Sequence, residues 1–228
     1  MQSRLQNIMR IAVMQPYFIP YAGYFRLFAA SDLFVIYDDV QFPKEGWVNR
    51  NQLTDASGQS VWLTLPLRKA SLTTQIREMQ FADHAQEKWQ RALQRFPLLH
   101  TEAALQHPLR QRIDTLDGTF IDFLTENLKL TCEALGLHDN VIHSSDIAYN
   151  RELKGSERLL DLLGQLDCTH YINAPGGQSL YQPEDFRQRG ITLAFLPDYG
   201  GAKQSILQRL LEEGGPAVRH EIDQYTTV

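Results

Sequence analysis

The sequence predicts a single α/β domain with a mainly parallel sheet flanked by helices. Two observations indicate this fold class: short apolar runs alternate with longer amphipathic segments, and glycines or prolines separate many of them. Strands that alternate with helices form right-handed crossovers and lie in one parallel sheet. No internal repeat and no linker rich in Ser, Gly or Pro divides the chain, so we expect one domain over residues 9–228.

The first forty residues predict a strand, a helix and a second strand. Residues 11–14 are apolar and strand-like, and residues 21–30 place aromatic side chains mainly on one side of a helix. Pro16 and Pro20 keep the connection between them extended, because proline disfavours helix at the preceding residue. Residues 33–37 are nearly all apolar, which is typical of a strand buried on both faces.

The rest of the chain continues the alternation after a less regular middle. Residues 61–67 favour a strand that follows a glycine turn, and residues 76–81 favour a further strand. Residues 85–117 could form a small helical cap, which begins with a helix over residues 85–96. The remaining predicted helices are 118–135, 155–166, 183–188 and 204–213, and the remaining predicted strands are 141–143, 170–172 and 191–196.

Composition and charge exclude several classes of protein. The chain has 22 Lys and Arg against 27 Asp and Glu, and this net charge of −5 argues against a binder of the nucleic-acid backbone. Hydrophobic residues at 43% fit a globular domain with a sizeable core. No apolar run approaches the ~18 residues of a membrane span. Residues 1–8 lack the apolar stretch of a signal peptide, so we expect a cytoplasmic protein that starts at Met1 or Met9.

The cysteines and histidines form no metal-binding or nucleophile motif. Cys132 and Cys168 are too few for a disulfide framework, and we expect free, buried thiols in a reducing compartment. The seven histidines are scattered without metal-ligand spacing, so no metal site is expected from them. A Mg²⁺ ion that accompanies a nucleotide is left open, through Asp38 or Asp39.

The densest group of unusual polar and aromatic residues lies between Gln15 and Asn51. Gln15 and the pair Asp38-Asp39 directly follow the first two predicted strands, and ligands of open α/β sheets bind at that edge. Nearby in sequence are further side chains that suit a bound base, sugar or phosphate: Tyr17, Tyr21, Gly23, Tyr24, Gln41, Lys44, Trp47, Asn49, Arg50 and Asn51.

Each of these candidates has a structural alternative. The aspartate pair could simply end its strand, and Tyr24 or Trp47 could pack in the core. The run from Asn49 to Asn51 is harder to explain by folding alone, because three consecutive hydrogen-bonding side chains suit a phosphate or carboxylate. We expect Asp39 to act as a base or metal ligand. Lys44 and Arg50 would form a positive clamp that stabilises developing negative charge.

Two further segments follow predicted strands at the same edge. Asn173 precedes the pair Gly176-Gly177, which could let the backbone approach a ligand or could only form the turn. Residues 144–146 read Ser-Ser-Asp and could form a turn or helix cap without any role in binding.

These motifs resemble the WbqC-like family of bacterial proteins. The opening run reads QPYFIPYAGYFRLFAASDLFVIYDDVQFPKEGWVNRNQL. The family pattern Gln-Pro-x-Tyr/Phe-x-Pro-x-x-Gly-Tyr-Phe, then Asp-Asp-Val-Gln-Phe, then Trp-x-Asn-Arg-Asn falls on residues 15–25, 38–42 and 47–51. Residues 61–67, 155–158 and 171–177 are similar to later family segments, so the resemblance spans most of the chain.

The resemblance implies a transferase in bacterial surface-polysaccharide (O-antigen) biosynthesis. Such an enzyme would modify a sugar nucleotide or a lipid-linked amino sugar, by aminoacyl or acyl transfer. The family's Leu-Ser-Ile-Ile-Asp segment is altered here, since Ser205 is retained while Gln208 takes the acidic position. This departure leaves an alternative open, a nucleotide- or ligand-binding protein of the same fold that has lost catalysis.

A second, weaker resemblance concerns the nucleotidyltransferase and Rossmann-like folds. The segment Tyr21-x-Gly23-Tyr24 lies where HxGH adenylyltransferases place His-x-Gly-His, and Ser205-x-x-x-Arg209 is similar to their Ser-Thr-x-x-Arg element. A helix start with a hydroxyl and nearby Lys203 would suit a phosphate. Tyrosine cannot replace an imidazole, so this resemblance implies shared architecture more than shared chemistry. The expected partner is therefore a small phosphorylated or sugar-nucleotide ligand.

Overall fold

A computed structural model describes residues 8–226 of the chain. Residues 1–7, and the last two residues of the predicted domain, lie outside the described residues, so the expectations for them are not addressed by the structure. The strands are β1 (Arg10–Met14), β2 (Leu33–Ile36), β3 (Arg50–Thr54), β4 (Ser60–Thr64), β5 (Val141–His143), β6 (His170–Asn173) and β7 (Thr192–Phe195). The helices are α1 (Ala22–Ala30), α2 (Ala85–Leu93), α3 (Glu102–Gln106), α4 (Pro108–Arg112), α5 (Phe120–Leu135), α6 (Gly155–Gly164), α7 (Pro183–Arg187), α8 (Ile206–Glu213) and α9 (Gly215–Gln224).

Five strands form one parallel sheet in the order β5-β2-β1-β6-β7. The predicted single α/β domain with a mainly parallel sheet is therefore confirmed. Counted in chain order within the sheet, this arrangement is 3-2-1-4-5, as in the first five strands of doubly wound dinucleotide-binding sheets. The order reverses between β1 and β6, and ligands of such sheets bind at the carboxyl ends of the two strands that meet there. The more specific assignment to a nucleotidyltransferase or Rossmann-like fold is supported only by this strand order, and it stays a prediction.

Helices cover both faces of the sheet because successive strand residues point to opposite faces. Phe34 and Ile36 face a core that they share with apolar residues of α1, α5, α8 and α9. Val13 and Val35 face a second core, built with residues of α6 and α7. The central strands β1 and β2 are thus buried on both sides, which explains their nearly continuous apolar sequences.

Residues 50–81 differ from the sequence-based expectation. β3 and β4 form an antiparallel hairpin, and β3 was not predicted because Arg-Asn-Gln-Leu-Thr buries only alternate residues. The strand expected over residues 76–81 is wrong, since Ile76–Glu78 is a short 3-10 helix. Its start is fixed by Gln75 and Glu78, whose side chains each accept a hydrogen bond from the other residue's backbone.

Two helical regions complete the domain. Residues 85–112 contain α2, α3 and α4, and Trp89 and Leu109 in this region belong to the same core as the sheet; a function as a cap remains a prediction. Helix α9 was not expected, because Gly215-Pro216 resembles the end of a helix. Proline is compatible with the first turn, where its missing N–H has no intrahelical partner.

Two other features bear on the earlier expectations. Cys132 and Cys168 are free and buried, and burial raises the pKa of both thiols. Among residues 8–226, no helix is both long enough and apolar enough to cross a membrane.

Candidate functional site

A buried polar cluster lies at the carboxyl ends of the neighbouring strands β2 and β5. Asp38 and Asp39 follow β2 after one residue, and Ser144 follows β5 directly. The Asp38 and Asp39 side chains are 1% and 0% exposed, and buried charges need hydrogen bonds or opposite charges to offset lost hydration. The Ser144 hydroxyl supplies one shared contact, because Oγ lies 2.9 Å from Asp38 Oδ1 and 2.7 Å from Asp39 Oδ1.

Asp38 is held as a carboxylate by groups at the end of β5. The Ser145 amide donates to Oδ1 at 3.0 Å and the Ser145 hydroxyl donates to Oδ2 at 2.7 Å. His143 Nδ1 lies 3.2 Å from Oδ2. Burial alone would raise the pKa of Asp38, but hydrogen bonds from His143, Ser145 and Ser144 outweigh burial and lower the pKa from 3.8 to about 2. The same hydrogen bond raises the pKa of His143 above 6.5.

Asp39 is surrounded by donors on both carboxylate oxygens. The Tyr149 hydroxyl lies 2.8 Å from each oxygen, and Arg151 Nε donates to Oδ2 at 2.7 Å. Arg158 Nη2 lies 3.2 Å from Oδ1 and also donates to the Asp39 carbonyl at 2.9 Å. Hydrogen-bond donors therefore occupy the lone pairs of Asp39, and two guanidinium groups lie against it.

This environment does not fit a Mg²⁺ ion at Asp38 or Asp39. Magnesium needs free oxygen ligands and keeps several water molecules, whereas both carboxylates are committed to protein donors. Two adjacent arginines would also repel a cation. Residues 8–226 contain no group of three or more His, Cys, Asp or Glu side chains that could hold a metal ion.

A cleft of about 410 Å³ opens beside the aspartate cluster, at the start of α6. We call it the α6 cleft, and its lining residues are Tyr37, Val40, Gln41, Leu153, Lys154, Gly155, Ser156, Arg158, Leu180 and Tyr181. The free N–H groups and the dipole at a helix start attract anions, and Lys154 and Arg158 add positive charge. The Lys154 and Ser156 side chains make no hydrogen bond with any other described residue.

A second cleft, of about 260 Å³, lies where the strand order reverses. We call it the switch-point cleft, and its lining residues are Tyr21, Gly23, Arg26, Ala174, Pro175, Leu196, Asp198, Tyr199 and Lys203. These residues follow β1, β6 and β7 in the chain. Gly23 is required by close packing, since a Cβ at this position would lie 2.3 Å from Tyr21 Cε2 and 2.8 Å from Tyr199 Cδ1.

A third depression, of about 560 Å³, lies beside α4 and the start of α5. Its one cationic lining residue is already paired, because Arg112 forms ion pairs with Asp117 and Glu126. We therefore place the candidate site at the two clefts of the sheet edge.

The sequence-predicted residues divide between these clefts and other positions. Asp38 and Asp39 lie beside the α6 cleft and Gln41 lines it, whereas Tyr21 and Gly23 line the switch-point cleft.

The segment after β6 shapes the rim of the switch-point cleft. Asn173 Oδ1 accepts a hydrogen bond from the Ala174 amide at 2.8 Å. A Cβ at Gly177 would lie 2.2 Å from Asn173 Nδ2, so a larger residue does not fit there. Gly176 is exposed, with open space around its Cα.

Several predicted binding residues instead fix the extended segment between β1 and α1. Asn51 is buried, and its Nδ2 donates to the carbonyls of Phe18 at 3.1 Å and Ile19 at 2.6 Å. The Ser205 hydroxyl donates to the same Ile19 carbonyl at 3.0 Å. These bonds hold Ile19 at a φ of 39°, a conformation uncommon for a β-branched residue. The Ile206 amide donates to Pro20 at 2.8 Å, so backbone already occupies the start of α8, where a phosphate was expected.

Gln15, Tyr17 and Tyr24 lie next to that segment. The Tyr24 hydroxyl donates to the Gln15 carbonyl at 2.9 Å, and the rings of Tyr17 and Tyr24 lie 5.5 Å apart. Tyr24 is buried in the core, while Gln15 and Tyr17 are half-buried.

Lys44, Trp47, Asn49 and Arg50 lie in or next to the hairpin. Trp47 is 43% exposed, and its ring lies 5.2 Å from that of Trp62. The Arg50 guanidinium lies 4.3 Å from the centre of the Trp62 ring and donates to the carbonyls of residues 45 and 46. Lys44 is exposed in the same loop, and the Asn49 carbonyl accepts from the amide of residue 65. Arg50 forms no ion pair with either predicted aspartate.

Gln208, at the position where the family has an acidic residue, has a structural role. Its Oε1 accepts from the Thr54 amide at 3.1 Å, and its Nε2 donates to the Thr54 hydroxyl at 3.0 Å. These contacts tie α8 to β3.

Sequence reasoning missed several residues of the site, among them Tyr149, Arg151, Lys154, Arg158 and Arg26. Arg158 lies in the family segment Gly-Ser-Glu-Arg, yet no role was assigned to it. Arg26 is the one charged residue in the otherwise largely apolar run of residues 22–30, and this is a signal visible in the sequence. In the structure the first seven residues of that helix are all buried.

The fold and the two clefts define a single α/β domain with a five-stranded parallel sheet and two candidate ligand clefts at its carboxyl edge. The chain belongs to the WbqC-like protein family, whose profile matches residues 15–201. It is 30% identical over 203 residues to Uncharacterized protein Rv1507c of Mycobacterium tuberculosis (strain ATCC 25618 / H37Rv), which covers 84% of this chain and 83% of that relative. No solved structure matches the chain.

Proposed function

We propose that the protein is a transferase that binds a sugar nucleotide or another phosphorylated sugar in bacterial surface-polysaccharide (O-antigen) biosynthesis. The α6 cleft is the observation that carries this proposal, since it combines a helix start, Lys154, Ser156 and Arg158. Such groups bind phosphate oxygens through N–H and O–H donors and through charge. Membership of the WbqC-like family supports the same class of function.

The walls of the α6 cleft suit the other half of such a ligand. Tyr37 and Tyr181 offer aromatic faces, and Gln41 offers an amide that both donates and accepts hydrogen bonds. Aromatic faces stack on bases and on the apolar faces of sugars. A phosphate at the helix start would leave the attached sugar or base beside these side chains. The group transferred would be an aminoacyl or acyl group, as the family resemblance implies.

We assign Asp39 a positioning role in place of the predicted base. Its side chain has no exposure, and its oxygens already accept hydrogen bonds from Tyr149 and Arg151. Arg158 lines the cleft and also contacts Asp39, so the carboxylate fixes the direction of that guanidinium. Lys44 and Arg50 remain candidate clamp residues on the hairpin loop.

Isothermal titration with UDP, a UDP-sugar and the free sugar tests the phosphate-binding role. Lys154→Ala should weaken binding of the two phosphorylated ligands by about tenfold, equivalent to about 1.4 kcal/mol. Lys88→Ala is the matched control, because it removes an exposed lysine from α2, outside the cleft. Equal affinities for the two variants, or binding of the free sugar as tightly as the UDP-sugar, would contradict the proposal.

A ligand-binding protein without catalysis is the second candidate. It is favoured by the hydrogen bonds that already occupy Asp39, the carboxylate that would otherwise serve as a base. Mass spectrometry of a mixture of protein, UDP-amino sugar and an acyl or aminoacyl donor separates the two candidates. A product heavier by the transferred group supports the transferase, whereas binding without any product supports the second candidate.

A further inference from the structure

Arg26 differs from the other buried arginines of the described chain. Arg26, Arg110 and Arg209 are only 1%, 2% and 2% exposed. Arg110 forms an ion pair with Asp114, and Arg209 pairs with two glutamates. Arg26 forms no ion pair with any carboxylate among residues 8–226. Buried charges are normally paired, so the exception needs an explanation.

The contacts of Arg26 leave part of its guanidinium without a partner. Nη2 donates to the Pro197 carbonyl at 2.8 Å, while Nε is buried and has no hydrogen-bond partner. The Tyr199 ring, 5.6 Å from the guanidinium carbon, provides a cation–π contact. Neither contact supplies the negative charge that a buried guanidinium requires.

The switch-point cleft, which Arg26 lines, has the other features of an anion site. Lys203 adds a second positive charge to the lining. Helix α1 begins at this cleft, and it has neither a side-chain cap nor an acidic residue in its first turn. The cleft lies at the carboxyl ends of β1 and β6, where doubly wound sheets bind the phosphates of their ligands.

One carboxylate, that of Asp198, also lines this cleft. Asp198 is exposed and forms no ion pair with Arg26. It would compete with a bound anion for the positive charge, so its removal should strengthen anion binding.

We propose that the switch-point cleft binds the phosphate group of a small organic phosphate, held by Arg26 and Lys203. The guanidinium can donate two parallel hydrogen bonds to phosphate oxygens, and the ammonium contributes a point charge. At about 260 Å³ the cleft is smaller than the ~300–1,000 Å³ typical of drug-sized ligands. It therefore accommodates a phosphate with the atoms next to it rather than a whole sugar nucleotide.

This site is separate from the α6 cleft, since the two linings share no residue. The chain would then hold two phosphate groups at once, one at each cleft. The second site does not depend on the function proposed above, because it rests on the unpaired Arg26.

Isothermal titration of the full chain with inorganic phosphate, glucose 1-phosphate, AMP and acetate tests this inference. Lys203→Ala should weaken glucose 1-phosphate binding about tenfold, Arg26→Met should abolish binding at this site, and Asp198→Asn should strengthen it about threefold. Lys88→Ala should leave every affinity unchanged. Comparison of the affinities for glucose 1-phosphate and AMP shows whether the site prefers a sugar phosphate or a nucleotide.

Thermal unfolding gives a second readout, because a ligand that binds the native state raises Tm. Glucose 1-phosphate at one fixed concentration should raise the Tm of Lys154→Ala by more than it raises the Tm of the double variant Lys154→Ala/Lys203→Ala. If Arg26→Met does not fold, Lys203→Ala and Asp198→Asn decide the question.

Three results would overturn the inference: phosphate binding unchanged by Lys203→Ala and Asp198→Asn, acetate bound as tightly as phosphate, or binding lost only in Lys154→Ala. The last result would leave the proposed function of the α6 cleft intact.

Discussion

Replacing Asp39 by asparagine tests whether this carboxylate organises the site or performs chemistry there. The substitution keeps the shape of the side chain and removes its charge. In the wild type, the two oxygens contact Ser144, Tyr149 and Arg151 at 2.7–2.8 Å and Arg158 at 3.2 Å. Asparagine keeps one acceptor oxygen, but its NH₂ group would face donors that it cannot satisfy.

The size of the effect follows from the contacts that change. A hydrogen bond to a charged group contributes about 1.5–3 kcal/mol, against about 0.5–1.5 kcal/mol between neutral groups. Breaking a buried ion pair costs about 3–5 kcal/mol. Arg151 is 36% exposed, so water can solvate it in the variant, and we take the lower end of that range. The expected loss of unfolding free energy is about 3 kcal/mol.

Urea denaturation and thermal unfolding measure this loss. For a domain of this length, about 3 kcal/mol corresponds to a fall in Tm of about 6–12 °C. Asp223→Asn is the matched control, because it removes a carboxylate–arginine pair at the surface of α9, where we expect a change below about 1 kcal/mol. A loss no larger than that of the control would refute the positioning role. Unchanged stability together with abolished transfer would restore Asp39 as a base.

Three other substitutions test the surrounding structure. Gly23→Ala places a methyl group against the rings of Tyr21 and Tyr199, so unfolding free energy should fall by about 1–3 kcal/mol in urea, whereas an unchanged midpoint would contradict the close packing. Asn51→Ala removes the amide that donates to two buried carbonyls and should cost about 1–3 kcal/mol in thermal unfolding. Because the pKa of His143 is raised in the folded state, protonation stabilises the fold fully below pH 6.5, and this contribution is lost as pH rises through the raised pKa. The urea midpoints of wild type and His143→Gln should therefore converge above pH 6.5, and a gap that stays constant from pH 5 to 9 would contradict this account.

The sheet could be predicted from the sequence chiefly because its central strands β1 and β2 are buried on both faces. Such strands are continuous apolar runs, and β1 and β2 are recognisable without any knowledge of their partners. Strand β3 could not be recognised in this way, because it pairs only with β4 and four of its five residues are polar. Helix α9 was hidden by a glycine and a proline whose usual meaning is the end of a helix.

The candidate site could be predicted only where topology determines it. The carboxyl ends of β2 and β5 bring Asp38 and Ser144 together, and the rule for ligand sites in open sheets already points to that edge. The positive partners of Asp39 could not be found, because Arg151 is 112 residues away in the sequence. Arg50 is much nearer to Asp39 in sequence, yet its guanidinium lies against Trp62 in the hairpin.

The two clefts differ in how deeply their cationic side chains are buried, so ligand affinity at each should depend differently on salt. This difference gives a final test of both proposals. Ions in solution screen exposed charges far more than buried ones. Each cleft has one exposed lysine, Lys154 or Lys203, but the arginines differ, since Arg26 is 1% exposed and the Arg158 side chain is 17% exposed. Phosphate-ligand affinity measured in Arg26→Met, which retains only the α6 cleft, should therefore fall more steeply between 50 and 500 mM KCl than affinity in Lys154→Ala. Equal slopes would mean that the guanidinium of Arg26 does not provide the charge of the second site. The chain's net charge of −5 does not oppose either site, since at these distances the local cations determine the potential that a small phosphate experiences.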